Sequence, residues 1–262
     1  MPRRMLVAAL ALAIAAPTLA DVTIKASGTG EGLGMSGATT STTYIKGQKM
    51  RVESVTGKKA ATTIFDVDNQ KMYVLDARKK ETEVWDMTAL SREISSAITL
   101  DGAKTELKPN GQTRTVAGQN TEGYDMEIIV PATIGGAGGM TVTIAMTGTS
   151  WIAKGVPGTS DYAGFYQAAA DKGWFFSDPR AAKGSPGQAR AMAQMYGEFA
   201  KLGGVPYESQ TNIRIEGEGP MAALMAKVGG VTMNTTTESV ETTPLADDLF
   251  TPPADYKLKL RD

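Results

Sequence analysis

Catalysis in a chain of this kind ordinarily rests on histidine, cysteine or converging carboxylates, and the first two are absent from all 262 residues. Without histidine there is no Ser-His-Asp or Cys-His arrangement and no ordinary general base. Zinc and most iron or copper(II) sites lose their commonest ligand as well. Three carboxylate pairs remain: Asp66/Asp68, Glu81/Glu83 and Asp247/Asp248. Such pairs serve glycoside hydrolysis when they converge in a deep pocket. Here each falls in a turn or on the outer face of an alternating strand, so they read as solvated charge. The stretch DVDNQ (66–70) opens like a calcium loop but lacks the third oxygen ligand, the glycine and the closing glutamate, and it reads as a turn. GTGEGLG (28–34) has the glycines of a phosphate cradle without a helix to follow, and reads as a flexible turn. Met192/Met195 and Met221/Met225 stand at helical spacing. Thioethers bind copper(I), but with no histidine or cysteine beside them these methionines read as adaptable packing or the wall of a tolerant apolar pocket. The residues assign no catalytic role, no metal and no cofactor, and the chain reads as not an enzyme.

The elements that would position any site are mostly strands. From Asp21 to Met87, short alternating runs (DVTIKA, TTYIK, MRVESV, TTIFDV, KMYVLD, ETEVWDM) are broken by turns at GQK, TGKK, DNQ and ARKK, the pattern of consecutive antiparallel strands. Leu90, Ile94, Ala97 and Ile98 then predict a helix with Thr88 at its start. Strands resume as KTELK, a turn at PNG, TRTV, TEGYDMEIIV and MTVTIAMT, the last with Met140, Val142, Ile144 and Met146 on one face. TSDYAGFYQAAADKG (159–173) predicts a helix with a Ser or Thr start. SPGQARAMAQMYGEFAKLGG (185–204) predicts a longer one, with a capping box of Ser185 and Gln188, Pro186 first in the helix and Gly203 ending it. YESQTNIRI, a brief helix PMAALMAKV and the strand VTMNTTTESVE complete the pattern. Phe65, Tyr73, Leu75, Trp85 and Met87 share sequence parity and are the candidate residues of a ligand cavity. Helices are expected to cover the second face of the strand 72–75, which is apolar on both sides.

The N-terminus, MPRRMLVAALALAIAAPTLA, has the charged, apolar and small-residue regions of a secretory signal with cleavage before Asp21. Its apolar run is too short to span a bilayer, and no transmembrane span is expected elsewhere. The net charge of −1 includes Arg3 and Arg4; without them 25 basic residues face 28 acidic ones. That balance argues against a nucleic-acid partner, and the clusters GKK (57–59) and ARKK (77–80) fall in turns. Export without any cysteine points to a bacterial periplasm.

YIKGQKMRVES followed by TTIFDVDNQKMYVLDARKKETEVWDM resembles the strand run of periplasmic half-barrel proteins similar to the lipoprotein carriers LolA and LolB. More closely it resembles a bacterial family of unknown function with that fold. Met50, Arg51 and Phe65 match the pattern, and DDLFTPPADYK is similar to the family's close through Phe250, Pro252 and Tyr256, with Ala254 where glycine is common. The resemblance implies a sheet curled around helices, with an apolar concave face that in the carriers accepts acyl chains.

The expected architecture is therefore α+β, mainly antiparallel β: a curved open half-barrel sheet with helices on its concave face. Residues 1–20 form the signal and 21–262 a single domain with a helical insertion at about 159–203. The expected function is non-enzymatic binding of a lipid or a lipoprotein acyl chain in the half-barrel cavity. The alternative is an envelope structural or protein-interaction module with a self-filled core, no ligand and an envelope protein as partner.

Overall fold

The computed structural model describes residues 21–32, 35–96, 104–134, 140–174, 179–184, 186–217 and 230–261. Hairpin follows hairpin through β1 (Val22–Gly32), β2 (Met35–Lys46), β3 (Lys49–Thr56), β4 (Lys59–Asp66), β5 (Lys71–Asp76) and β6 (Glu81–Asp86). Helix α1 (Met87–Ser96) leads to the long strands β7 (Lys104–Val116), β8 (Gln119–Ile134) and β9 (Met140–Lys154). Three helices, α2 (Thr159–Asp171), α3 (Pro179–Gly184) and α4 (Pro186–Leu202), precede β10 (Gly204–Gly217), β11 (Val231–Glu241) and β12 (Lys257–Arg261). The strands form one open sheet in the order β12-β6-β5-β4-β3-β2-β1-β11-β10-β9-β8-β7. All neighbours are antiparallel except β12, which runs parallel to β6. The fold is an α+β open half-barrel, and the first strand stands in its middle, between β2 and β11.

Register decides which side chains meet the helices. Val22, Ile45, Met50, Phe65, Met72 and Trp85 lie opposite one another in a single row across six strands, and all are buried. This inner face packs on Tyr162, Phe165, Tyr166 and Ala169 of α2 and on Ala189, Ala193 and Ala200 of α4. A second cluster joins Met126, Ile128 and Met146 to Phe199, with Met192, Met195 and Leu202 of α4 against it. Helix α4 is thus wedged between two apolar groups, small residues toward one and large residues toward the other.

The opposite face of the first hairpins carries the row Tyr44, Arg51, Ile64, Tyr73 and Val84. The C-terminal segment crosses this face over β3 and β4. Arg51 donates to the Leu249 carbonyl at 3.1 Å and Lys46 to that of Leu245 at 2.6 Å. Between them the short 3₁₀ turn Asp247–Phe250 packs on β3 and β4, with Phe250 buried. Beyond it, β12 adds itself to the sheet edge.

Several local expectations need correction. GTGEGLG is not a simple turn: Gly28 to Gly32 continue β1, because pairing on both sides satisfies that backbone regardless of glycine's weak strand preference. PNG is a bulge inside β7, between Pro109 and Thr113. The hairpin turn is Ala117-Gly118, where both φ angles are positive, at 47° and 78°, as a tight two-residue connection demands. Helix α1 is capped by Asp86, not Thr88: its Oδ1 accepts from the amides of Thr88 and Ala89 at 3.0 and 3.1 Å. Helix α2 starts after Gly158 in the left-handed region, with no side-chain cap. Ser185 and the 220–228 stretch, with Met221 and Met225, lie outside the described residues, as do Ala97, Ile98 and the side chain of Gln188.

Candidate functional site

Tyr162 and Tyr166 stand one helical turn apart on α2, and Tyr196 projects from α4 to meet them. The rings of Tyr162 and Tyr166 are 4.6 Å apart; those of Tyr166 and Tyr196 stack at 5.0 Å with 17° between planes. Burial pushes all three phenols above their usual range, with the neighbouring tyrosines adding to the effect on Tyr162 and Tyr166.

These rings separate two cavities between the helices and the inner face, and Tyr166, Tyr196 and Thr43 border both. The smaller has a volume of about 270 Å³. Its roof is Met192, Met195 and Phe199; its floor, on β9 to β11, is rich in hydroxyls. Several of these are already engaged: Ser150 and Ser209 share a hydrogen bond at 2.8 Å, and Thr237 donates to the Pro206 carbonyl at 2.9 Å. The floor is therefore less polar than its composition. The larger cavity, about 870 Å³, runs along β3 to β6. Met50, Val52, Phe65 and Val74 line it nearest the tyrosines, and Lys58, Lys59, Arg78 and Lys79 line it at the tips of the β3–β4 and β5–β6 hairpins. Both volumes are of the order that ligand sites occupy, roughly 300 to 1,000 Å³.

Glu81 and Glu83 line the larger cavity, which corrects the outward placement read from alternation. They share the parity of Trp85, whose side chain is on the buried inner row, and the neighbouring β12 holds them diagonally: Lys259 and Arg261, each two residues past the register partner, reach Glu81 and Glu83 at 2.7 and 2.6 Å. Arg180 of α3 stands 3.7 Å from Glu83 on the other side. Both carboxylates are tied into an ion-pair network, so neither is presented to the cavity as a free acid or base. Asp66 is buried and caps the turn that follows it, accepting from the Asn69 amide and side chain at 3.0 and 2.8 Å. Asp247 pairs with Lys46 on the far side of the sheet at 2.8 Å. Among the described residues no group of three or more acidic side chains is placed to hold a metal ion, and no helix is long and apolar enough to cross a membrane.

The five candidate cavity residues are distributed over three environments. Phe65 lines the larger cavity and Leu75 borders it. Trp85 and Met87 are packed in the core, Trp85 with the Lys183 ammonium 5.7 Å above its ring. Tyr73 is half-buried on the opposite face, between Ile64 and Val84. Four-residue turns explain the division. Phe65 pairs with Met72 and Met72 with Trp85, so each hairpin switches which parity faces inward, and Met72 and Val74 take the side assigned to Tyr73. The tyrosine trio was missed, although two of its members announce themselves at i and i+4 in one predicted helix.

No protein-family model and no curated protein matches the chain. Among solved structures it is similar to an outer membrane lipoprotein-sorting protein domain from Vibrio parahaemolyticus, at 8% identity and a TM-score of 0.30, over 89% of this chain and 90% of that one. It is similar to a LolA superfamily protein from Nitrosomonas europaea at 6% identity and a TM-score of 0.29, over 89% and 90%, and to PNGF-II at 11% and 0.31, over 93% of this chain and 32% of that one.

Proposed function

We propose that this protein is a non-enzymatic carrier of a hydrophobic ligand, a lipid or a lipoprotein acyl chain, and that it works in the periplasm after cleavage before Asp21. One observation carries this reading: two cavities meet at a tyrosine pair between the helices and the inner face of the sheet. Protein interiors pack to crystal density, and an unfilled apolar wall forfeits dispersion contacts. Space on this scale is a functional expense. Met192, Met195 and Phe65 are the apolar contacts of the ligand in this reading, with Leu75 at the rim.

Native mass spectrometry of the mature protein, purified from periplasm without detergent, tests the proposal when joined to solvent extraction of the same sample. A co-purifying lipid mass is the expected result, lost in Thr43→Trp, which fills the junction of the two cavities. A bare chain mass, together with no uptake of added lipid, sinks it. A second reading, an envelope interaction module, is favoured by Leu258 and Leu260, which are 57% and 81% exposed on the edge strand β12. Crosslinking to an envelope protein through β12 with no ligand bound would favour that reading.

A further inference from the structure

We propose that the larger cavity takes an amphiphile with an anionic headgroup, its chain directed at Tyr166 and Tyr196 and its head held at the tips of the β3–β4 and β5–β6 hairpins. The inference rests on the carrier reading and adds the charge and direction of the ligand. The cavity is polarised from end to end. Near the tyrosines its walls are Val52, Phe65 and Val74; at the hairpin tips stand Lys58, Lys59 and Arg78. From Phe65 to Lys59 the trough runs six residues along one strand, roughly 20 Å.

The acids near this mouth are already engaged. Asp76 is paired with Lys79 at 3.2 Å, Glu81 with Lys259, and Glu83 with Arg261 and Arg180. Among the described residues, none of the Lys58, Lys59 and Arg78 side chains has an ion-pair partner, in a chain whose net charge is −1. A single exposed cation attracts an anion weakly. Three around one mouth, beside an apolar wall of low dielectric, reinforce one another, and they repel a cationic head.

The test compares two probes with the same chain, myristoyl lysophosphatidylglycerol and myristoyl lysophosphatidylcholine, each below its micelle threshold. Calorimetric titration of the full mature protein at low salt should give about tenfold tighter binding of the anionic probe, with the gap closing as salt is added. The triple variant Lys58→Glu, Lys59→Glu, Arg78→Glu alters only exposed positions at the hairpin tips, and should erase the gap while keeping the zwitterionic probe bound. Equal affinities in the parent protein, or a gap that survives in the variant, overturn this inference and leave the carrier reading standing. No binding of either probe removes both.

Discussion

Asp86 closes β6 and opens α1. One carboxylate oxygen accepts from the first helical amides, and the other meets the Lys71 ammonium at 2.9 Å. The hydrogen bond from Lys71, then the Ala89 amide, hold its carboxyl below the usual value of 3.8. A depressed carboxylate adds stability above its unfolded pKa, and loses it as pH falls through the folded one. Asp86→Ala should cost about 1 kcal/mol near neutral pH, and Asp86→Asn much less, since asparagine caps as well as aspartate and the Lys71 pair is largely exposed. Urea midpoints at unchanged slope measure both, and the deficit of Asp86→Ala should shrink below about pH 4. Equal losses in the two variants would mean that the ion pair, not the cap, matters. In the sequence Asp86 looks like the end of a strand, and so it is, opposite Lys71 in the ladder. Its second role depends on where the helix begins, and a neighbouring threonine of the right type drew the assignment.

Strand alternation made the hairpins legible, and their turns made the facing residues hard to read. Parity within one strand is reliable, as Met126, Ile128 and Val130 show by sharing burial on β8. Parity carried across even-length turns reverses, which is why Tyr73 and Leu75 were grouped with Phe65. Hairpin turns can be counted in a sequence, so this much was recoverable. The C-terminal segment was not, because nothing local tells PLADDLFTPP which surface it will cross. Its anchor is Phe250, 2% exposed. Phe250→Ala should destabilise by about 3 to 5 kcal/mol, the range for emptying an aromatic site in a core. Leu260→Ser, at an exposed position of the same tail, should change stability by less than about 0.5 kcal/mol. Chemical denaturation of the two variants decides whether the segment is a structural cover; similar small effects would make it a loosely held tail.

At the scale of the molecule, the antiparallel α+β class followed from alternation alone, whereas the seam did not: β1 and β11 join the two halves of the sheet across some two hundred residues, and their threonine-rich faces carry no sequence mark of partnership. The helices close over this seam, and the tyrosines they bring give the whole fold a measurable alkaline limit. Burial raises the phenols of Tyr73, Tyr162, Tyr166, Tyr196 and Tyr207 above 10.0. In the unfolded chain each would ionise near that value, so above about pH 10 unfolding releases protons and stability falls as pH rises. Below it, the protonated form prevails in both states and these groups leave stability unchanged. Tyrosinate absorbance should therefore rise in two stages: accessible rings first, then the buried trio together with loss of the far-ultraviolet dichroism, because their ionisation requires the helix layer to open. Tyr196→Phe should take one ring out of the second stage and soften the fall in stability. A single smooth titration of all 8 tyrosines with the native dichroism intact would show that water already reaches the junction between the cavities, and that the apolar environment on which the carrier reading depends is not there.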